Sequence, residues 1–265
     1  MNRKRLQAVI EKEWLDMRKN KMVLSMMALL PLLLVGMILG TVYFMERAPD
    51  SEYDPATGDS GMALPPELEA LGYKEGTIIL LNDQYMFYLL LIPLTLPVYV
   101  AAYSIIGEKE TRSLEPLLAT PVSTAELLVG KTISAAAPAI VLTWLSFVLT
   151  AVGLNFIASP TVLAYWVRPV WSLSMALQTP FLAVLSTASG VIASSRLNDP
   201  RAAQQVTGLF IVPLIALSLI VLMGKVYLNL RLMSWATLLI AAVTVGVLWL
   251  AIRLFQRETI LTRWK

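Results

Sequence analysis

Two residue types are missing from the 265-residue sequence, which contains no cysteine and no histidine. Without cysteine, the chain has no disulfide bond, thiolate metal ligand or cysteine nucleophile. Without histidine, it lacks the commonest metal ligand and the side chain that most often serves as a general base. We therefore predict that the chain binds no metal, has no catalytic residues and is not an enzyme by itself.

Charged residues are also scarce. They make up 15% of the sequence, whereas soluble domains average about 25%. Hydrophobic residues make up 57%, the mean hydropathy is +0.68, and the apolar residues fall in long uninterrupted runs. Such runs are typical of membrane-crossing helices, because every backbone N–H within lipid needs a partner, and they lack the alternation of β-barrel strands. The predicted fold class is an all-α integral membrane protein.

Six apolar runs meet or approach the roughly 20 residues that a helix needs to cross a bilayer core about 30 Å thick. They cover residues 22–45, 84–106, 132–152, 172–193, 208–223 and 234–254, of which the fifth is the shortest. We predict a single six-helix transmembrane domain over residues 1–265. Proline inside a helix removes a hydrogen bond and clashes with the preceding turn. Pro93 and Pro97 should therefore bend the second span, and Pro138 the third.

The distribution of lysine and arginine predicts the orientation of these spans. Sixteen of the 21 basic residues lie in the terminal segments and the even-numbered loops, and five lie on the other side. We therefore expect both termini in the cytoplasm. The net charge of +3 follows from this bias and does not indicate nucleic-acid binding. Aromatic residues at the outer ends of the spans predict an interfacial belt: Tyr165, Trp166, Trp171, Tyr227 and Trp235.

The apolar spacing of residues 3–20 predicts an amphipathic helix. It should lie at the cytoplasmic surface of the membrane, directly before the first span. An ordinary charged N-terminal extension is the alternative. The apolar residues of this segment recur at three- and four-residue steps: Leu6, Val9, Ile10, Trp14 and Met17.

Residues 46–77 form the only sizeable external segment that the sequence predicts. They carry eight acidic residues and two basic ones, interrupted by prolines and glycines. A solvated loop is one interpretation of such a composition, and docking of cations or of an external protein is the other.

Four polar residues within or beside the spans are candidates for lining a transport pathway: Asn82, Asp83, Gln84 and Gln178. The first three stand at the outer end of the second predicted span. For Gln178, a hydrogen bond to a neighbouring helix is the alternative role. The scarcity of ionisable residues inside the spans argues against a proton- or ion-coupled carrier.

The predicted cytoplasmic loop 107–131, here called the coupling loop, is the most informative segment. Leu114, Leu117 and Leu118 form an apolar stripe, which predicts a short surface helix that ends at Thr120 and Pro121. Ser123 and Glu126 have the spacing of a capping box, which starts a new helix. That helix continues into the third span, so movement of the loop would be transmitted to the spans.

This arrangement resembles the membrane subunit of ABC transporters of the type-2 exporter class. Residues 194–205 resemble the second cytoplasmic loop of the same family, whereas Arg112 and Ser113 replace a more common Gly–Thr pair. The resemblance lies in Glu108, Glu110, Ser113, Leu114, Glu115, Leu117, Leu118, Thr120, Pro121, Ser123, Glu126, Leu127, Leu128, Gly130 and Lys131.

The resemblance implies a permease in a prokaryotic cytoplasmic membrane. It also implies two nucleotide-binding subunits that hold ATP and magnesium, and a second permease that is a copy of this chain or a related one. Ser123 and Glu126 would cap and hinge the helix. The residues that would dock on the ATPase subunits are Glu108, Glu110, Leu114, Glu115, Leu117, Leu118, Thr120 and Pro121.

The chain itself is not expected to bind ATP or another cofactor. Gly130, Lys131 and Thr132 resemble the end of a phosphate-binding P-loop, but Ala125 stands where that motif requires glycine. ATP-driven export is therefore predicted to depend on hydrolysis by a separate chain. Two alternatives stay open: transmission of motion to an external protein without transport, and an intramembrane enzyme, for which the spans offer no convincing residues.

Overall fold

A computed structural model describes residues 2–53, 64–110, 123–197, 202, 205 and 208–254, and every regular element in these ranges is helical. The two short 3₁₀ helices are Asp50–Tyr53 and Gly208–Phe210. The α-helices are α1 (Arg3–Lys19), α2 (Lys21–Arg47), α3 (Pro66–Glu69), α4 (Tyr73–Leu89), α5 (Leu91–Glu110), α6 (Thr124–Ile157), α7 (Pro160–Trp166), α8 (Pro169–Arg196), α9 (Ile211–Leu222) and α10 (Leu230–Leu254).

Five helical stretches in the described ranges are long and apolar enough to cross a membrane: Lys21–Arg47, Tyr73–Glu108, Glu126–Ile157, Pro160–Ser194 and Leu230–Leu254. They contain five of the six predicted spans. The remaining one corresponds to the shorter apolar stretch Gly208–Leu222. Its α-helix, α9, has 12 residues, which at 1.5 Å per residue make about 18 Å and do not reach across a bilayer core. A sixth complete span therefore stays a prediction.

The second span begins earlier than predicted. The sequence places its start at residue 84, but α4 begins at Tyr73 and takes residues 73–77 from the predicted external loop. The helix is interrupted at Leu90, between α4 and α5. The interruption lies one turn before Pro93, whose ring would clash with the carbonyl of Leu89 in a continuous helix.

Helices α5 and α8 form the centre of the bundle. The membrane-length stretches that contain them, Tyr73–Glu108 and Pro160–Ser194, bury 72% and 67% of the residues in their apolar parts. The corresponding share for Leu230–Leu254, which is α10, is 11%. The two helices approach closely at Gly190, where an added Cβ would lie 2.9 Å from Val98 Cγ2. Ser186 Oγ also donates to the carbonyl of Leu94 across the same contact, at 2.6 Å. Helix α10 packs on α8 and leaves most of its apolar face exposed, as a helix next to lipid would.

The predicted N-terminal helix is present as α1, capped by the side chain of Asn2. Its buried face consists of Val9, Glu13 and Met17, while Trp14 is 42% exposed. Helix α1 packs mainly on α6, so the side that it buries faces protein. This side differs from the predicted apolar side, because it includes the carboxylate of Glu13 and leaves Trp14 partly exposed. Its position in the membrane interface stays a prediction.

The ends of the external acidic segment are held in place. Lys74 Nζ donates to the carbonyls of Glu46 and Ala48 at 3.0 and 2.8 Å, and so satisfies the last turn of α2. Glu46 Oε1 accepts from Ser159 N at 2.8 Å, just before α7. Both ends of the segment are thus anchored to the bundle, whereas residues 54–63 lie outside the described ranges.

The predicted aromatic belt is wrong for two of its members. Trp166 and Trp171 are 1% and 0% exposed, and both indole nitrogens donate hydrogen bonds inside the protein. The reason is α7, a short helix that the sequence does not predict, which packs against α4 and α6. Trp235 is exposed on α10, as a belt residue should be.

Candidate coupling site and outer cluster

The capping box predicted at the start of α6 is present. Ser123 has an extended backbone, its Oγ accepts from Glu126 N at 3.1 Å, and Glu126 Oε2 accepts from Ser123 N at 2.9 Å. Two N–H groups at the start of the helix are therefore satisfied by side chains. The 34 residues of α6 then continue to Ile157 without interruption. At 1.5 Å per residue they make about 51 Å, which exceeds a bilayer core by about 20 Å.

Glu126 also connects two helices. Its second carboxylate oxygen, Oε1, accepts from the backbone N–H of Asn2 at 2.7 Å. Asn2 in turn caps α1 by accepting from Lys4 N. One carboxylate therefore fixes the first turn of α6 and holds the start of α1 beside it.

A buried group of charges lies one and a half turns further along α6. Lys131 Nζ donates to Glu13 Oε1 at 2.7 Å, to Glu108 Oε1 at 3.0 Å and to Ser104 Oγ at 2.5 Å. Ser104 Oγ donates to Glu13 Oε2 at 2.7 Å. Lys12 Nζ completes the group by contacting both carboxylates. These five residues, here called the basal cluster, join α1, α5 and α6.

Burial makes the charge balance of the basal cluster important. The side chains of Lys131 and Glu13 are 2% and 4% exposed, that of Glu108 is 8% exposed, and Lys12 is 40% exposed. Two ammonium groups therefore balance two carboxylates. Removing one charged side chain would leave a net charge in this buried group, which is unfavourable, although each remaining group keeps one partner of opposite charge.

The electrostatics of α1 reflect this pairing. Although burial alone would raise the pKa of Glu13, the ammonium groups of Lys131 and Lys12 lower the pKa of its carboxyl below the ordinary value of 4.5. Burial opposes the charge of Lys12 as well. Its proximity to Glu13 and Glu108 nevertheless raises the pKa of its ammonium above the ordinary value of 10.5. Both residues stay charged over the physiological range.

The residues predicted for docking on an ATPase are placed unequally. Glu108, expected at the docking surface, lies inside the basal cluster with its carboxylate turned toward Lys131 and Lys12. Glu110 is the last residue of α5. The other predicted docking residues lie outside the described ranges: Leu114, Glu115, Leu117, Leu118, Thr120 and Pro121.

Asp83 of α4 belongs to a second buried group, which lies at the predicted external end. Asp83 accepts from Arg168 Nη2 at 2.8 Å through Oδ1 and at 2.7 Å through Oδ2, and from Trp171 Nε1 at 2.6 Å. Arg168 Nη1 donates to Tyr227 Oη at 3.1 Å, and its guanidinium lies over the rings of Tyr165 and Tyr227. Asp83, Arg168, Trp171 and Tyr227 are here called the outer cluster.

The other candidate pathway residues are also buried. Gln84 Nε2 donates to Ser218 Oγ of α9 at 3.2 Å, and Gln178 Nε2 donates to Thr237 Oγ1 of α10 at 3.0 Å. The side-chain amide of Asn82 makes no hydrogen bond within the described ranges. The geometry of Gln84 and Gln178 is that of residues that join packed helices. A role in lining a pathway stays a prediction for all four.

Sequence reasoning did not predict the pairing of seven members of the two clusters: Lys12, Glu13, Ser104, Lys131, Arg168, Trp171 and Tyr227. One signal was available, because Glu13 stands midway between Val9 and Met17 at four-residue steps, on the apolar side of the predicted helix. A carboxylate on such a face needs a buried cation. Nothing local in the sequence marks Arg168 as the partner of Asp83.

An all-helical bundle with several membrane-length helices and buried, internally paired charges defines a multi-pass membrane protein. The family model for the ABC-2 family transporter protein matches residues 7–232, and the chain belongs to that family. No curated protein matches its sequence. The chain is therefore the permease subunit of an ABC transporter, a transport component of a family that works with a separate ATP-binding subunit.

Proposed function

We propose that the chain is the permease of an ATP-driven exporter in a prokaryotic cytoplasmic membrane. Two ATP-binding subunits would hold ATP and magnesium, and two permeases, identical or related, would form the pathway. Closure of the ATP-bound subunits would push on the coupling loop and switch the helices between inward- and outward-facing packings. Substrate would then be released on the outer side.

The observation that carries this proposal is the capped and uninterrupted helix α6. It begins at Thr124, directly after its N-cap Ser123, and its length of about 51 Å would let it project beyond the bilayer. A helix whose first turn is fixed by side chains transmits displacement better than a frayed end. Force applied to the coupling loop would therefore reach the membrane-spanning part of α6.

Docking is proposed for the last residue of α5 and the part of the coupling loop between α5 and α6. Its apolar contacts would be Leu114, Leu117 and Leu118, and its charged contacts Glu110 and Glu115. Glu108 would contribute from inside the basal cluster rather than by contact with the ATPase. Thr120 and Pro121 would end the surface helix.

A second candidate function is transmission of motion to an external protein. It is favoured by the acidic external segment, whose two ends are anchored to the bundle by Lys74 and Glu46. Such anchoring would let movement of α2 and α4 reach a protein bound to that segment. Substrate flux separates the two functions, because only the exporter moves a solute.

The test is reconstitution of the chain in proteoliposomes with a P-loop ATPase encoded beside its gene. An exporter should show ATP-dependent flux and an ATPase rate that responds to the permease. Glu115→Lys should weaken ATPase binding while membrane insertion is kept, and Glu52→Lys on the predicted outer side is the matched control. ATPase coupling without flux of any tested amphipathic solute would favour the second function. Absence of both would contradict the proposal.

A further inference from the structure

The basal cluster is built around one ammonium group. Lys131 of α6 contacts Glu13 of α1 and both Ser104 and Glu108 of α5, at distances between 2.5 and 3.0 Å. Its side chain is 2% exposed. A buried ammonium has three donors and no acceptor, and here each donor has an oxygen partner. Three helices are thus tied through a single side chain.

Packing next to Lys131 brings α1 and α6 unusually close. A Cβ added at Gly130 would lie 2.6 Å from Val9 Cγ1 and 3.0 Å from Val9 Cβ. Glycine at this position therefore allows the approach that places Glu13 within reach of Lys131. At the start of both helices, Glu126 adds a second connection through Asn2. Helix α1 is consequently held to α6 at two levels, one on each side of Gly130.

We propose that Lys131 is a positioning residue that makes α1, α5 and α6 move as one body at the base of the coupling loop. Both helices that flank the loop and the N-terminal helix would then receive its displacement together. The inference rests on the proposed function and adds how the movement spreads. It also assigns Glu108 an internal role, as the carboxylate through which α5 joins this body.

The first test needs neither an ATPase nor a substrate. Met17 is buried on α1, where it packs with Val23, Val100 and Ala135. In the full cysteine-free chain, Met17→Cys should react slowly with a maleimide. Adding Lys131→Met should speed labelling at least roughly tenfold, because α1 loses its buried partner. Lys131→Arg should keep labelling slow, and Lys19→Met is the control on an exposed α1 lysine. Unchanged labelling in Lys131→Met would overturn the proposal.

The second test replaces the ion pairs with a covalent bond. Val9→Cys with Gly130→Cys places two Cβ atoms about 3.0 Å apart, so a small shift allows a disulfide. In otherwise unchanged protein, oxidation should leave ATP-driven transport unaffected, because α1 and α6 do not separate. With Lys131→Met, transport per ATP should fall when the pair is reduced and recover when it is oxidised.

The outcomes of the second test have distinct meanings. If the disulfide stops transport in the protein that keeps Lys131, then α1 must move relative to α6 during transport. That result would overturn the proposal. Failure of the disulfide to restore transport in Lys131→Met would overturn it as well. If wild-type protein shows no ATP-driven transport with its ATPase, the proposed function fails. The labelling result then still decides whether Lys131 holds α1 in place.

Discussion

The two ends of the bundle bury opposite charges in different ways. At the predicted cytoplasmic end, the basal cluster distributes two positive and two negative groups over α1, α5 and α6, and Lys12 keeps partial access to solvent. At the predicted external end, the outer cluster depends on one carboxylate and one guanidinium surrounded by aromatic rings.

This difference predicts how the stability of each end responds when one charged side chain is removed. In the basal cluster, a remaining partner can still neutralise the group that is left. In the outer cluster, Asp83 has a single cationic partner among the described residues. The outer cluster also joins segments that are distant in sequence, namely α4, the start of α8 and the connection between α9 and α10. We therefore expect the outer end to be the more sensitive one.

The largest effect is expected from Arg168→Met. It leaves the Asp83 carboxylate buried with only Trp171 as a donor, and should cost about 3–5 kcal/mol of folding stability. The measurement is the loss of the monodisperse peak of detergent-purified protein on heating. Arg231→Met, the same change at an exposed position, is the control. Addition of Asp83→Asn should recover much of the loss. Equal stability of Arg168→Met and wild type would contradict the comparison.

Glu108→Gln should have a smaller effect on stability. Lys131 keeps Glu13 and Ser104, and Lys12 keeps Glu13, so the expected cost is about 1–3 kcal/mol. The same heating assay measures it, with Glu11→Gln on the exposed side of α1 as the control. ATPase coupling should also fall, since the hydrogen bond from Lys131 to Ser104 is then the only contact of Lys131 with α5 that is left in the basal cluster. A cost above that of Arg168→Met would reverse the predicted order of the two ends.

Sequence reasoning succeeded where the determining residues are close together. The capping box consists of four consecutive residues, so its geometry depends on local hydrogen bonds, and both are present. Helix α1 follows in the same way from the three- and four-residue spacing of its apolar residues. The interruption before Pro93 reflects a local steric rule. Long apolar runs likewise predicted five of the membrane-length stretches.

Sequence reasoning failed where partners come from distant parts of the chain. Glu13 and Lys131 are 118 residues apart, and Asp83 and Arg168 are 85 residues apart. The second span was predicted from the apolar run 84–106, which placed Asn82, Asp83 and Gln84 at its outer end. In the structure those residues lie within α4, where Asp83 pairs with Arg168 and Gln84 donates a hydrogen bond to Ser218. Pairing of this kind cannot be found from one sequence.

The capping box offers a third prediction at the cytoplasmic end. Ser123→Ala should cost about 0.5–2 kcal/mol of local helix stability, and Ser123→Gly only a few tenths. Glycine also adds backbone freedom where α6 starts. If stiffness matters for coupling, Ser123→Gly should reduce transport per ATP at least as much as Ser123→Ala. Alanine as the more damaging change would indicate a role in stability alone, and near-normal coupling in both would remove the cap from the transmission path.

The smallest effect is expected from pH. The pKa of Glu13 is lowered, so the stability that its carboxylate contributes is fully present above 4.5 and is lost as the pH falls through its folded-state pKa. The pKa of Lys12 is raised, so its contribution is fully present below 10.5 and is lost as the pH rises through its folded-state pKa. The groups that face Glu13 are Lys131 and Ser104 from the neighbouring helices and Lys12 on α1.

Between these limits the basal cluster should keep its charges. Labelling of Met17→Cys, corrected for the pH dependence of the thiol with an exposed Leu15→Cys control, should therefore stay constant from about pH 6 to 9 and rise only in stronger acid. A tenfold rise on going from neutral pH to about pH 6 would mean that the pKa of Glu13 lies above its ordinary value of 4.5. Burial would then outweigh the ammonium groups of Lys131 and Lys12, and the basal cluster would hold a neutral carboxyl rather than a buried ion pair.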